Sequence, residues 1–261
     1  MTARGGGCRR TGCYELGNAV SRRERNQRRP TIYRGVYVET NHLTTAILAR
    51  NEADKYLDRV VRHHARFGRV LVLDDHSDDA TPLVAAEAGA TVHARGQNGG
   101  PMWGRESTAR AELWDWAAKE AGLGWVLICD ADQLLMGDPR PLCTSWTVNT
   151  WAFPLYDLWD SEETYRADGF WQGYRHNRAW LFRPSQVPEG WNPEWSSRGI
   201  HTGHCPANWP GMTAVAPPDV YWLHLGWLQK ADRLAKYERY RQTWDQLTPF
   251  ERGHVMSIVE T

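Results

Sequence analysis

With 261 residues, 41% of them hydrophobic, and 31 basic residues balancing 31 acidic ones, the chain suits one large α/β domain with a real core and is too apolar to be disordered. No apolar run approaches the ~20 residues that span a bilayer, the N-terminus opens on the polar run Met1-Thr2-Ala3-Arg4, and the five cysteines are odd in number and scattered, so a cytoplasmic protein without a disulfide framework is expected. Residues 1–40 hold nine Arg against three Glu, which leaves the body of the chain mildly acidic and argues against a broad nucleic-acid-binding face.

In chain order, residues 1–40 come first, with Gly5-Gly6-Gly7 and then Arg-rich, apolar-poor sequence; a flexible arm is expected. Cys8 and Cys13 lack the second pair of ligands that a closed zinc site needs. Thr44–Ala49 reads as a buried strand. Glu52–Phe67 follows with Leu57, Val60, Val61 and His64 at helical spacing, and Gly68 closes that helix. Val70–Leu73 is a second strand, running into Asp74-Asp75. A helix starting at Asp78 or Asp79, for which Ser77 or Asp78 could serve as cap, runs through Ala88 and is stopped by Gly89. Thr91–Ala94 is a third strand, Gly104–Ala121 a long helix, and Trp125–Cys129 a fourth strand ending in Asp130-Ala-Asp132. Beyond about residue 140 the alternation stops: short strands at Trp151–Leu155 and Ala179–Phe182 are expected, then a surface helix at Lys230–Trp244. All fifteen Trp lie at or after Trp103.

Strands alternating with helices predict a mostly parallel sheet with flanking helices, whose ligand lies beyond the carboxyl ends of the strands. Those ends carry Arg50, Asp74, Asp75, Asp130 and Asp132. On an extended backbone Asp130 and Asp132 point to one side, where two carboxylates can grip Mg2+ or Mn2+ and so neutralise a diphosphate leaving group. Asp75 can accept hydrogen bonds from a base or ribose. Trp159, Trp171, Trp191, Trp195 and Trp209 are candidates for stacking on a sugar.

Three of these stretches, Ala46-Ile-Leu-Ala-Arg50-Asn51-Glu52, Val-Leu-Asp74-Asp75-His-Ser-Asp78 and Cys-Asp130-Ala-Asp132, in this order and spacing, resemble the nucleotide-binding half of family 2 glycosyltransferases, which have the GT-A fold. The resemblance is strongest over residues 44–136 and continues more loosely through Leu158-Trp-Asp160, Tyr165-Arg-Ala-Asp168-Gly, Leu181-Phe-Arg183 and His224-Leu-Gly226. It implies a Rossmann-like GT-A sheet, with residues 41–140 as the nucleotide-sugar-binding half and residues 141–261 as a Trp-rich acceptor-side half and C-terminal helix of the same domain.

The resemblance implies roles as well. Ala49, Arg50, Glu52 and Asp75 would hold the nucleotide; Asp130 and Asp132 the metal and diphosphate; Arg105 and Arg110 the diphosphate or ribose. A histidine late in the chain would complete the Mn2+ or Mg2+ site, with His224 the candidate and His201 and His204 its competitors. The general base has no clear motif: Asp160, Glu162, Glu163, Asp168 and Glu194 qualify by type, and Asp168 and Glu194 by setting. The implied reaction is transfer of a hexose or related sugar, with inversion, from a nucleotide-diphosphate donor, UDP-sugar first, to a glycan, protein or small-molecule hydroxyl. A sugar-nucleotide nucleotidyltransferase would share the acidic site, but Arg50-Asn-Glu-Ala-Asp54 lacks a Gly-rich phosphate loop. A nucleic-acid-binding protein, or a DNA-modifying glycosyltransferase, would use the Arg-rich arm.

Overall fold

The computed structural model describes residues 13–15, 32–33, 36–37, 42–95, 106–196 and 203–260. Three short strands, β1 (Cys13–Glu15), β2 (Ile32–Tyr33) and β3 (Val36–Tyr37), precede the main body. Then follow β4 (Leu43–Ala49), α1 (Leu57–His64), β5 (Arg69–Asp74), α2 (Thr81–Glu87), β6 (Thr91–Ala94), α3 (Glu106–Ala121), β7 (Trp125–Asp130) and β8 (Gln133–Met136). The second half contributes β9 (Thr150–Phe153), β10 (Leu155–Trp159), β11 (Ser161–Arg166), β12 (Arg178–Phe182), β13 (Thr213–Val215), β14 (Tyr221–His224), α4 (Lys230–Arg241) and α5 (Pro249–Ser257). Among the described residues no helix is long and apolar enough to cross a membrane.

The central sheet has seven strands in the order β13-β9-β12-β7-β4-β5-β6, and only β12 runs against the others. Side chains of β4, β5 and β7 alternate between two cores, as the twofold period of a strand dictates. Ile47, Val72, Leu127 and Cys129 pack with Leu57, Val60 and Val61 of α1. Ala46, Leu48, Leu71, Leu73, Val126 and Ile128 pack with Ala109, Leu113, Trp114 and Ala117 of α3. Burial on both faces explains why these strands read as continuous apolar runs.

A second, five-stranded sheet has the order β1-β11-β10-β14-β8. Its first strand comes from the N-terminal segment: Cys13–Glu15 pairs antiparallel with Thr164–Arg166. The helix expected from Glu52 begins only at Leu57, and residues 53–56 form a turn. Pro154 has no N–H to give, and it divides the expected Trp151–Leu155 strand between β9 and β10, each in a different sheet.

Candidate functional site

The chain leaves β4 toward β5 and β6 on one side, then returns to pair β7 on the other side of β4. That reversal falls at the carboxyl ends of β4 and β7, where open α/β sheets bind ligands in a crevice. Leu48 pairs with Asp130 and Ala49 with Asp74, so the strand ends carrying Arg50, Asp75 and Asp130 lie side by side.

Asp130 and Asp132 do not share one extended strand. Asp130 is the last residue of β7, and Ala131-Asp132 form the turn into β8. The turn sends the two carboxylates to different partners. Asp130 Oδ1 accepts from Arg110 Nη2 at 2.6 Å, and Asp130 Oδ2 accepts from Gln133 Nε2 at 3.2 Å and meets His204 Nε2 at 3.1 Å. Arg110, one of the two arginines expected on the helix before β7, is buried and also bridges to Glu106 at 3.2 Å. Burial opposes the charge on Asp130, but the Arg110 guanidinium and His204 hold its carboxyl well below the usual range.

Asp132 meets two cationic groups through Oδ2: Lys236 Nζ at 3.1 Å and His224 Nε2 at 3.3 Å. Its Oδ1 is buried with no hydrogen-bond partner among the described residues. The antiparallel pairing of β8 with β14 places His224 opposite Gln133, and Leu225 N donates to Asp132 O at 2.8 Å. On the other side of the ring, His224 Nδ1 lies 2.8 Å from Asp157 Oδ1. Burial would discharge His224, but Asp132 and Asp157 outweigh it and raise the imidazole to about 9. Burial likewise opposes Asp132, and the charges of Lys236 and His224 hold it well below the carboxylate range.

Asp75 is fully buried. Its backbone N–H donates to Ala49 O at 2.8 Å, its Oδ1 accepts from Arg95 Nη1 at 2.5 Å, and Arg50 Nη1 stands 3.9 Å from Oδ2. Arg95 is fixed in turn by Glu112 of α3 at 2.7 Å. Asp75 Oδ2 has no hydrogen-bond partner among the described residues. Asn51 and His76, the residues just beyond Arg50 and Asp75, have φ of 54° and 60°, the left-handed region that costs a non-glycine residue energy. Cross-links hold that geometry: Asn51 N donates to Ser77 Oγ at 2.9 Å, and Asp78 N donates to Asn51 Oδ1 at 3.0 Å. Ser77 and Asp78 thus tie the β4 and β5 loops together and do not cap α2; Asp79 does the local work, accepting from Thr81 N at 2.9 Å and Ala53 N at 3.2 Å.

Glu52 pairs with Lys55 at 3.1 Å; burial raises its carboxyl, and the nearby Asp132 charge adds to that effect. Asp168 is committed to structure, accepting from Arg166 Nε at 2.6 Å, Phe170 N at 3.0 Å and Trp171 N at 3.3 Å. Asp160 and Glu162 are paired with Arg233 and Arg59. Glu194 is exposed, on a segment tied to the one carrying His204 by Ala207 N donating to Glu194 O at 2.7 Å. Trp159 and Trp171 are not sugar platforms: both are buried with Trp227 and Tyr240, and Arg166 and Arg233 cover the Trp159 ring at 4.5 and 4.3 Å. Trp195 and Trp209 pack on Trp114 of α3. Arg105 and His201 lie outside the described residues.

Four participants were missing from the sequence reading: Arg95, Gln133, Asp157 and Lys236. Asp157 had a faint signal, a carboxylate inside the apolar run Leu155–Trp159. Lys236 had one too. Arg233, Lys236 and Tyr240 follow helical spacing on α4, and all three face inward on a helix expected to lie on the surface.

A divalent metal fits part of this arrangement. Asp132 Oδ1 is an unsatisfied buried acceptor, and Asp157 holds His224 by Nδ1, as metal-binding histidines are commonly held, so that Nε2, which meets Asp132 Oδ2 here, would turn its lone pair to an ion on losing its proton. Asp130, expected as a third ligand, turns instead to Arg110 and His204. Among the described residues no group of three or more His, Cys, Asp or Glu could hold a metal. Two protein ligands do not make a closed cage; they suit an ion completed by substrate phosphates and water.

No family model and no curated protein sequence matches the chain. Several solved structures resemble it in part. The mannosyltransferase PcManGT from Pyrobaculum calidifontis, in complex with GDP-Man and Mn2+, aligns at 15% identity and a TM-score of 0.45 over 83% of this chain and 68% of that one. Glucosyl-3-phosphoglycerate synthase from Mycobacterium tuberculosis, in complex with Mg2+ and UDP, aligns at 18% identity and a TM-score of 0.32 over 44% of this chain and 43% of that one. Mannosyl-3-phosphoglycerate synthase from Rubrobacter xylanophilus aligns at 20% identity and a TM-score of 0.32, over 46% and 41%. The chain thus spans less than half the length of these two synthases.

Proposed function

We propose that the protein is a GT-A-type glycosyltransferase of family 2 character, moving a hexose or related sugar from a nucleotide-diphosphate donor to an acceptor hydroxyl with inversion. The observation that carries this reading is the Asp157–His224–Asp132 chain, set beside the crevice where the sheet reverses its strand order. Asp132 Oδ1 and His224 Nε2 would hold Mn2+ or Mg2+, which supplies a Lewis acid for the diphosphate leaving group. Asp75, clamped by Arg95, offers Oδ2 to an N–H or O–H of the nucleoside. Arg110 holds Asp130 at the end of β7, and Arg50 lines the same crevice. For the base, Glu194 is the better of the two expected carboxylates, since Asp168 already accepts three hydrogen bonds.

The test is a screen of UDP-, GDP- and TDP-sugars with Mn2+ for thermal stabilisation and for release of nucleoside diphosphate. One donor is expected to respond, and EDTA and Asp132→Ala are expected to abolish the response while circular dichroism stays native. Release of pyrophosphate from a nucleoside triphosphate mixed with a sugar 1-phosphate, run in parallel, would point to a nucleotidyltransferase. No response to any donor, or full activity of Asp132→Ala with EDTA present, overturns the reading.

A further inference from the structure

Lys236 occupies an unexpected position for a lysine. Its ammonium lies 3.1 Å from Asp132 Oδ2 and 4.5 Å from the centre of the Trp227 ring, with only 17% of the side chain exposed. Among the described residues its one hydrogen bond goes to Asp132. A Cβ on Gly226 would collide with both Asp132 Oδ2 and Lys236 Nζ, so the glycine leaves the room in which the pair closes. The same carboxylate keeps its second oxygen buried without a hydrogen-bond partner.

A divalent ion drawn to Asp132 would meet the ammonium of Lys236 already on that carboxylate. Two cations a few ångströms apart repel strongly in a partly buried site. A lysine can resolve that conflict as an arginine cannot, because its charge is a compact point on a flexible four-carbon stem with three donors that reorient freely. An incoming diphosphate offers those donors new acceptors.

We propose that Lys236 is a stand-in cation: it neutralises Asp132 before the donor arrives, yields that carboxylate to the divalent ion, and turns its ammonium to the donor diphosphate. The proposal rests on the donor and metal reading above and assigns Lys236 as a diphosphate-binding residue.

The experiment needs no turnover. Mn2+ alone is titrated into wild type and Lys236→Met, with free Mn2+ followed by electron paramagnetic resonance. UDP and GDP are then titrated at saturating Mn2+. In Lys236→Met, Mn2+ should bind on the order of tenfold tighter, because a competing charge is gone, while the preferred nucleotide binds on the order of tenfold more weakly. Lys236→Arg keeps the charge but not the compact, freely turning ammonium, and should bind Mn2+ more weakly than wild type. If Lys236→Met does not fold, Lys236→Gln is measured against the same criteria. Unchanged or weaker Mn2+ binding, or nucleotide affinity that does not fall, overturns the lysine's role and leaves a fixed ion pair joining α4 to the turn. Failure of wild type to bind Mn2+ at all overturns the metal reading itself, an outcome distinct from equal binding by both proteins.

Discussion

His224 and Asp157 form one unit: Nδ1 and Oδ1 are 2.8 Å apart, in neighbouring parallel strands that pair Asp157 directly with His224. The carboxylate fixes which ring nitrogen faces Asp132. Removing such an outer partner commonly costs about 10–100-fold in metal affinity. Asp157→Asn is therefore expected to weaken Mn2+ binding by roughly that factor while the far-ultraviolet spectrum stays native. Wild-type Mn2+ affinity in this variant would remove His224 from the metal site.

The same histidine predicts a pH dependence. Burial opposes its charge, yet Asp132 and Asp157 raise the imidazole to about 9, against ~6.5 in an unfolded chain. The folded value is the higher one, so the stabilisation is complete below about pH 6.5 and is lost as pH rises through about 9. Thermal melts of metal-free protein should fall across that window by an amount equivalent to about 3 kcal/mol, and His224→Gln should flatten the profile. A flat wild-type profile would contradict the charged state assigned to the ring.

Asp75 gives a prediction confined to the nucleoside. Asp75→Asn keeps the shape but weakens the pairing with Arg95 and changes what Oδ2 offers. Isothermal titration should show nucleotide affinity falling by about tenfold, the scale of one charge-assisted hydrogen bond, with Mn2+ affinity in the absence of nucleotide unchanged. A matching loss of Mn2+ affinity would mean that the two halves of the crevice are not separable.

Gly226→Ala tests the close approach at the turn. The added methyl displaces Asp132 and Lys236 from each other, and crowding of this kind costs roughly 1–3 kcal/mol. A melting temperature lowered by several degrees is expected, together with altered Mn2+ affinity. An unaffected melting temperature would show that the turn relaxes around the methyl.

The parallel core was legible because β4, β5 and β7 are buried on both faces, and continuous apolar runs with carboxylates at their ends announce that directly. The position of Asp75, Asp130 and Asp132 at or just beyond those strand ends was legible for the same reason. The direction of the Asp130 and Asp132 side chains was not, since the turn at Ala131 breaks the strand geometry that an i, i+2 argument assumes. Lys236 and Arg233 were hidden by their residue type. Charged residues on a helix read as a solvated face, and nothing local reveals that Asp132 and Asp160 wait on the other side. Asp157 was hidden by distance, its partner lying 67 residues ahead in the chain.

The strand order also governs how the molecule can be divided. β12, from the second half of the chain, covers the flank of β7 that β4 leaves open, and β14 covers β8. A fragment ending near residue 140 would keep all three recognisable acidic motifs and still present two naked strand edges to its neighbours, the usual route to aggregation. His224 meets Asp132 only after parts of the chain distant in sequence have come together, so binding competence should emerge late in refolding, behind the recovery of β-structure.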